Sequence, residues 1–583
     1  MDSEIKRGSV LVDLLRYKYE SGDGDTLGKM NFKIEKGELV SLMGRTGTGK
    51  TTTLMLLNGL IPNFFEGEFE GKVIANTMNT TRYRVQTLAR FIGLVMQDPE
   101  TQIFGITVEK DIAFGPSNLA YGKEKIQEVV SKSLKSVGLE GFEKKLTSEL
   151  SGGEKQRVAI AGVLAMEPEI IVLDEPTSEL DPKGRDEIYT LISDLRRKEN
   201  ITIIISGHDT EEVLRYTDRV IVLDAGTIVW DGKPSQLFKD VILCQKFGIR
   251  PPEVAELSYY LAERGMIPNG SAFLDKSEMA KCIFSGFRFK DKQTVLNDSL
   301  HIGSKKVVIE TNDLSFHYRK EKHALHNINL KIHEGEFVAL IGKNGAGKTT
   351  FAKHLNGLLR PSGGQVLING KDIKSLSTSF LSRQVGYVFQ NPDHQIFSAT
   401  VWDEIEFGLN NIGLSDKEKE KRIIYALEFV GLADNKHRHP FTLGKGERQK
   451  LAVATILAME PEILVIDEPT TGQDWYGTQQ MMGMMEKLHQ NGHTVLAITH
   501  NMRLAAEYAD RIIVFSEGKV VLDGTPEEVF YNQDILESAS ITPPDSVMIA
   551  KEFSKYGFSG NPVSVKDLKK DIMEKFVRNI NAD

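Results

Sequence analysis

At 583 residues, 40% hydrophobic and 26% charged, the chain is too long for one core and has the composition of an ordinary multidomain globular protein. A formal net charge of −9 argues against a nucleic-acid binder, which carries a basic surface. Two cysteines, Cys244 and Cys282, exclude a disulfide framework or a thiolate metal cluster, and no run reaches the ~18 apolar residues of a spanning helix, so the expectation is a soluble protein or one held at a membrane only through a partner.

The N-terminus, Met1-Asp2-Ser3-Glu4, has no apolar signal region. Strand-like sequence follows, with Tyr17 and Tyr19 in it, then Asn31-Phe32-Lys33-Ile34-Glu35-Lys36-Gly37-Glu38, which reads as strand and hairpin signal. The apolar run Leu39-Val40-Ser41-Leu42-Met43 then leads into Gly44-Arg45-Thr46-Gly47-Thr48-Gly49-Lys50-Thr51-Thr52, and a helical segment continues to Leu57. Strand, glycine loop and helix are the context in which G-x-x-x-x-G-K-[ST] binds phosphate. The loop's backbone N–H groups converge on phosphate oxygens, and the helix adds its positive end. Lys50 can reach the β- and γ-phosphates, and the Thr51 hydroxyl can ligate Mg²⁺.

The run Ile92-Gly93-Leu94-Val95-Met96 ends at Gln97, whose neutral amide can touch both Mg²⁺ and an attacking water. Leu150-Ser151-Gly152-Gly153-Glu154 combines an S-x-x-E capping box with two glycines directly after the cap. Glycine there weakens the helix, which makes sense if the backbone must approach an anion at the helix N-terminus. The apolar strand Ile170-Ile171-Val172-Leu173 ends at Asp174-Glu175: the Asp is placed to support Mg²⁺ and the Glu to polarise water. His208 closes the late strand Thr202–Ser206, where an imidazole can hydrogen-bond a γ-phosphate. Tyr19 either stacks on adenine or belongs to the core; aligning Lys18-Tyr19 with His317-Tyr318 favours it over Tyr17.

All but one of these features return unchanged. Lys50 corresponds to Lys348 at an offset of 298, Gln97 to Gln390, Asp174 to Asp467 and Glu175 to Glu468 at 293, and His208 to His500 at 292. The second glycine loop is Gly342-Lys343-Asn344-Gly345-Ala346-Gly347-Lys348-Thr349-Thr350, with Thr349 as the second candidate Mg²⁺ ligand beside Asp467 and Gln390. The fall from 298 to 293 places extra residues in the first copy near Ile61–Gly67. Ile249-Arg250-Pro251-Pro252-Glu253 matches Ile541-Thr542-Pro543-Pro544-Asp545, so each copy carries its own C-terminal extension. A period near 293 means two tandem domains rather than a solenoid. The expected division is 1–267, a linker over 268–305, and 306–583. Alternating helices and near-continuous apolar strands imply an α/β fold with parallel sheets covered on both faces.

Together these motifs resemble the ATP-binding cassette (ABC) family: Walker A, Q-loop, signature, Walker B and switch histidine, over about 230 residues of each half. That resemblance implies two P-loop NTPase domains, each with a mainly parallel core sheet, an antiparallel β subdomain, a helical subdomain and an extension. It implies ATP and Mg²⁺ as ligands, with Glu175, Glu468, His208, His500, Gln97 and Gln390 catalytic. It also implies that the two cassettes pair head to tail within the chain, each nucleotide lying between one P-loop and the other copy's signature. The segments Gln97-Asp98-Pro99-Glu100-Thr101-Gln102-Ile103-Phe104 and Gln390-Asn391-Pro392-Asp393-His394-Gln395-Ile396-Phe397 look like energy-coupling factor (ECF) importer ATPases. In that group the segment after the Q-loop contacts a membrane subunit, here residues 97–115 and 390–408. The implied role is energising vitamin or transition-metal uptake from the cytoplasmic face of the membrane, with no nucleic-acid partner; a cytosolic cassette protein acting on ribosomes or nucleic acid is the competing class.

The copies differ in one motif. The second signature is Leu443-Gly444-Lys445-Gly446-Glu447, lacking the serine hydroxyl and carrying a lysine where the first has Gly152. Under the head-to-tail arrangement the Lys348 site faces Ser151 and the Lys50 site faces Gly444-Lys445-Gly446, so unequal sites are expected, unless Lys445 itself meets the γ-phosphate.

Overall fold

A computed structural model describes residues 6–20, 24–289, 305–319 and 322–578. Two compact units divide the chain: Met1–Ala255 with Asp474–Tyr476, and Glu256–Gln473 with Gly477–Asp583.

Among its described residues the first unit holds ten strands: β1 (Val10–Tyr19), β2 (Met30–Ile34), β3 (Leu39–Met43), β4 (Gly67–Ala75), β5 (Met78–Asn79), β6 (Ile92–Val95), β7 (Ile170–Asp174), β8 (Thr202–Ser206), β9 (Arg219–Asp224) and β10 (Thr227–Gly232). They form a six-stranded sheet in the order β10-β9-β3-β8-β7-β6 and a four-stranded sheet in the order β2-β1-β4-β5. In the first, β3 lies parallel to β8 and β9, and β7 parallel to β8 and β6; only β10 is antiparallel. The second sheet is wholly antiparallel. β3, β7 and β8 are buried at every residue, as strands covered on both faces must be. β2 instead alternates in exposure, as one covered on a single face does. The hairpin expected over Asn31–Glu38 is therefore not formed. β2 pairs with β1, β3 enters the other sheet, and the turn at Glu35–Gly37 changes layers. Leu54, Leu56 and Leu57 of the helix Lys50–Leu57 pack between the two sheets.

The second unit repeats this plan, preceded by β11 (Phe287–Phe289). Its strands are β12 (Val307–Arg319), β13 (Lys322–His333), β14 (Phe337–Ile341), β15 (Gly363–Ile368), β16 (Lys371–Asp372), β17 (Val385–Val388), β18 (Ile463–Asp467), β19 (Thr494–Ile498), β20 (Arg511–Ser516) and β21 (Lys519–Gly524), with a final β22 (Phe576–Arg578). The sheet orders, β17-β18-β19-β14-β20-β21 and β13-β12-β15-β16, match those of the first unit. After the Q-loop, each copy has a long helix and then the signature helix: Lys123–Ser136 and Gly152–Leu164 in the first, Asp416–Val430 and Lys445–Ala458 in the second.

Residues 268–305, expected as linker, are partly built into the second unit. A helix spans Lys276–Gly286, and β11 pairs antiparallel with β22. The Phe284 ring stacks on Tyr556 at 4.5 Å, and Phe289 meets Phe576 at 4.5 Å. An eleven-residue helix that buries only Met279, Ala280 and Ile283 shows too little periodicity to be read from sequence; its aromatic partners lie about 270 residues away. Residues 290–304 lie outside the described residues. Among those described, no helix is long and apolar enough to cross a membrane.

Candidate nucleotide sites in the two copies

In both copies the glycine loop joins a fully buried strand to a helix starting at the lysine. Gly44 and Gly342 have φ of 136° and 148°, and a Cβ would come within 2.1 Å of the Leu223 carbonyl or 2.3 Å of that of Phe515. Only glycine fits there. Lys50 Nζ donates to the carbonyls of Gly44 (2.9 Å) and Arg45 (3.0 Å), and Lys348 Nζ to those of Gly342 (2.6 Å) and Lys343 (3.1 Å). The loop thus curls around its own ammonium. Burial pulls the Lys50 pKa down, against the pull of Glu175.

The P-loop threonines meet the Walker B aspartates. Thr51 Oγ1 donates to Asp174 at 2.8 Å, and Thr349 Oγ1 to Asp467 at 3.3 Å. Burial pushes both carboxyls above the usual range, while hydroxyl donors oppose it: Ser206 and Thr51 on Asp174, Tyr387 and Thr349 on Asp467. Ser206 and Tyr387 are not visible as site residues in either motif. The signal for them lies in comparing the copies, because Leu94 stands opposite Tyr387 and Ser206 opposite Ile498.

Glu175 and Glu468 follow directly, both with left-handed backbone (φ 42° and 50°), a conformation non-glycine residues hold only when surroundings impose it. Their partners differ. Gln97 Nε2 donates to Glu175 at 3.0 Å, while His208 Nε2 stands 3.3 Å from the other oxygen without hydrogen-bond geometry. In the second copy His500 Nδ1 reaches Glu468 at 2.9 Å. Glu468 is only 7% exposed, and although burial works to raise its pKa, the charge and hydrogen bond of His500 hold it below the usual range. Gln390 follows β17 and is exposed.

Tyr19 and Tyr318 occupy equivalent places, each hydroxyl 3.2 Å from a P-loop helix threonine, Thr52 or Thr350. Tyr318 is 58% exposed, whereas Tyr17 is fully buried with its ring edge against Tyr19.

Ser151 caps the helix Gly152–Leu164. Its hydroxyl accepts from Glu154 N (3.3 Å), and Glu154 accepts from Ser151 N (2.7 Å). Gly444 retains only the second half of this box, its N–H donating to Glu447 at 2.9 Å. A Cβ at Gly152 or Gly446 would meet nothing within 4 Å, so packing does not demand either glycine.

Behind the first site lies a charge network that no motif marks. Asp209, next to His208, bonds Thr177 and is 3.2 Å from Arg185; Arg250 of the extension bonds Glu211. Burial, and then Asp209, push Glu212 up to about 7. The second copy has Thr478, Asn501, Arg503, Leu504 and Thr542 in place of Arg185, Asp209, Glu211, Glu212 and Arg250.

Comparison with known proteins finds one family in both halves of the chain. A model of the ABC transporter family matches residues 27–178 and 325–471. A Methanosarcina acetivorans protein, provisionally named an ABC transporter ATP-binding protein, is 41% identical over 572 residues, covering 96% of this chain and 93% of that protein. A similarly named protein of Caldanaerobacter subterraneus subsp. tengcongensis is 39% identical over 552 residues, covering 94% and 96%. Among solved structures, cbiO1 of Clostridium perfringens, described as part of the ABC transporter complex cbiONQ, is 34% identical with a TM-score of 0.37, covering 40% of this chain and 94% of that one.

Proposed function

Because the chain belongs to the ABC transporter ATP-binding family and carries two of its ATPase cassettes, we propose that it is the energising subunit of an ECF-type importer for a vitamin or transition metal. In this reading it is peripheral to the cytoplasmic face of the membrane, its cassettes pair within one chain, and it binds no nucleic acid.

The observation carrying the importer reading is a pair of exposed aromatics just after each Q-loop. Phe104 and Phe114 are 74% and 57% exposed, 6.2 Å apart; Phe397 and Phe407 are 63% and 52% exposed, 4.7 Å apart. In the first unit they border an open groove of ≈ 740 Å³ lined also by Leu94, Val163 and Met166. Apolar rings presented twice to solvent suit an amphipathic helix of a membrane subunit.

Within each site the side chains divide the work. Lys50 and Lys348 meet the phosphates, and Tyr19 and Tyr318 the adenine. Glu175 and Glu468 polarise the attacking water, with Gln97, Gln390, His208 and His500 orienting it and the γ-phosphate. Ser151-Gly152-Gly153 and Gly444-Lys445-Gly446 present helix N-termini suited to the phosphates of a nucleotide. Thr51 with Asp174, and Thr349 with Asp467, are all-oxygen donor sets that fit Mg²⁺, with Gln97 and Gln390 as further ligands. When bound, the cation neutralises charge developing on the transferred phosphoryl group.

Sedimentation tests this. The chain should pellet with membranes of its source cells and leave them on Phe104→Asp/Phe397→Asp substitution, with ATPase activity kept. Retention of the double variant, or sedimentation with ribosomes instead, would refute the importer reading.

A further inference from the structure

Each Walker B aspartate is almost fully enclosed, Asp174 being 7% and Asp467 3% exposed. One oxygen of each accepts from the P-loop threonine. The other also accepts a hydroxyl proton, but the two copies supply it differently. In the first, Ser206 Oγ donates to Asp174 Oδ1 at 2.5 Å from β8, and accepts from Glu175 N at 3.0 Å. In the second, Ile498 holds the matching register position (Asp174 pairs with Ser206, Asp467 with Ile498) and offers no hydroxyl. There the donor is Tyr387, reaching Asp467 Oδ2 at 2.9 Å from β17, the strand on the opposite side. Its counterpart in the first copy is Leu94. The pair of positions is therefore Leu and Ser in one copy, Tyr and Ile in the other. Either neighbouring strand can serve the aspartate, and in each copy one does.

We propose that Ser206 and Tyr387 are positioning residues of the two ATP sites, each locking the rotamer of its Walker B aspartate so that the other oxygen faces the P-loop threonine and the Mg²⁺·ATP beside it. A buried carboxylate oxygen without a donor costs free energy, and rotation toward the threonine would be the nearest relief. The hydroxyl removes that alternative. Orientation of a metal ligand by an outer hydrogen bond is a general device.

The inference rests on the Mg²⁺·ATP reading, and one experiment separates the two. Mn²⁺ binding to the full-length chain is followed by electron paramagnetic resonance with a non-hydrolysable ATP analogue, beside thermal melting. Tyr387→Phe and Ser206→Ala each delete a single oxygen. In each, one of the two nucleotide-dependent Mn²⁺ equivalents should weaken by about ten- to hundredfold. Ser206→Thr should keep its affinity, and Leu94→Tyr/Ser206→Ile, which writes the second arrangement into the first copy, should recover toward the unmodified value. Unchanged Mn²⁺ affinity in Tyr387→Phe and Ser206→Ala, or a lowered melting temperature with affinity intact, would overturn the proposal. Absence of nucleotide-dependent Mn²⁺ binding in the unmodified chain would overturn the Mg²⁺·ATP reading with it.

Discussion

His500 Nδ1 lies 2.9 Å from Glu468 Oε2, while His208, its counterpart, stands 3.3 Å from Glu175 Oε1, and Gln97 donates to the other oxygen of that carboxylate. Two sites of the same sequence pattern thus hold their glutamates by different partners. Asymmetry is written into the signatures too, where Ser151 is matched by Gly444 and Gly152 by Lys445.

Unequal turnover should follow. Glu468→Gln is expected to lower steady-state ATPase by about a hundredfold, and Glu175→Gln by much less, since removing a general base costs ~10²–10⁴-fold only where that base limits the rate. Equal losses would sink the idea.

The signature serine separates capping from catalysis. Exchanging an N-cap serine for glycine costs only a few tenths of a kcal/mol, about 1 °C in melting temperature for a domain this large. Ser151→Gly should therefore melt almost as the unmodified chain does, yet lose turnover. A drop in melting temperature with turnover intact would reduce Ser151 to a cap.

The two tyrosines of β1 should part company under mutation. Tyr318→Ala and Tyr19→Ala should weaken ATP binding by about tenfold, the scale of one lost base–aromatic stack, with little change in stability. Tyr17→Ala, in the core, should lower the melting temperature by several degrees, as aromatic truncation costs about 3–5 kcal/mol. Calorimetry of ATP binding beside thermal melting reads both.

Glu212 carries a pH signature. Its folded pKa, about 7, lies above the carboxylate's ordinary 4.5, so folding favours the protonated form. The stability it lends is complete below pH 4.5 and is lost as pH rises to about 7. Glu212→Gln should therefore stabilise the first unit at pH 8, by about 1–3 kcal/mol, and leave it unchanged at pH 4.5. A pH-independent difference in melting temperature would contradict this.

Much of the site was legible because phosphate chemistry demands particular residues at fixed spacing. Gly44 has no substitute beside the Leu223 carbonyl, and Lys50 opens the following helix with its ammonium held by the loop's own carbonyls. Motif, strand end and repeat offset converged on the same residues. Over Asn31–Glu38 the alternation shows that a strand is half-covered, not which sheet covers it, and so does not settle a hairpin. The helix Lys276–Gly286 escaped for a related reason: its order comes from Tyr556, Phe553 and Phe576, remote in sequence.

What the sequence by itself determined is the duplicated cassette and the inventory of groups in each P-loop site, since local backbone needs and charge chemistry act over a few residues. Tertiary structure alone decided which hydroxyl serves each Walker B aspartate, which nitrogen of His500 meets Glu468, and that Arg250 of the extension bonds Glu211 just past the switch histidine. These depend on strand register and helix packing between segments tens to hundreds of residues apart, where a hydrogen bond is made or lost within an ångström.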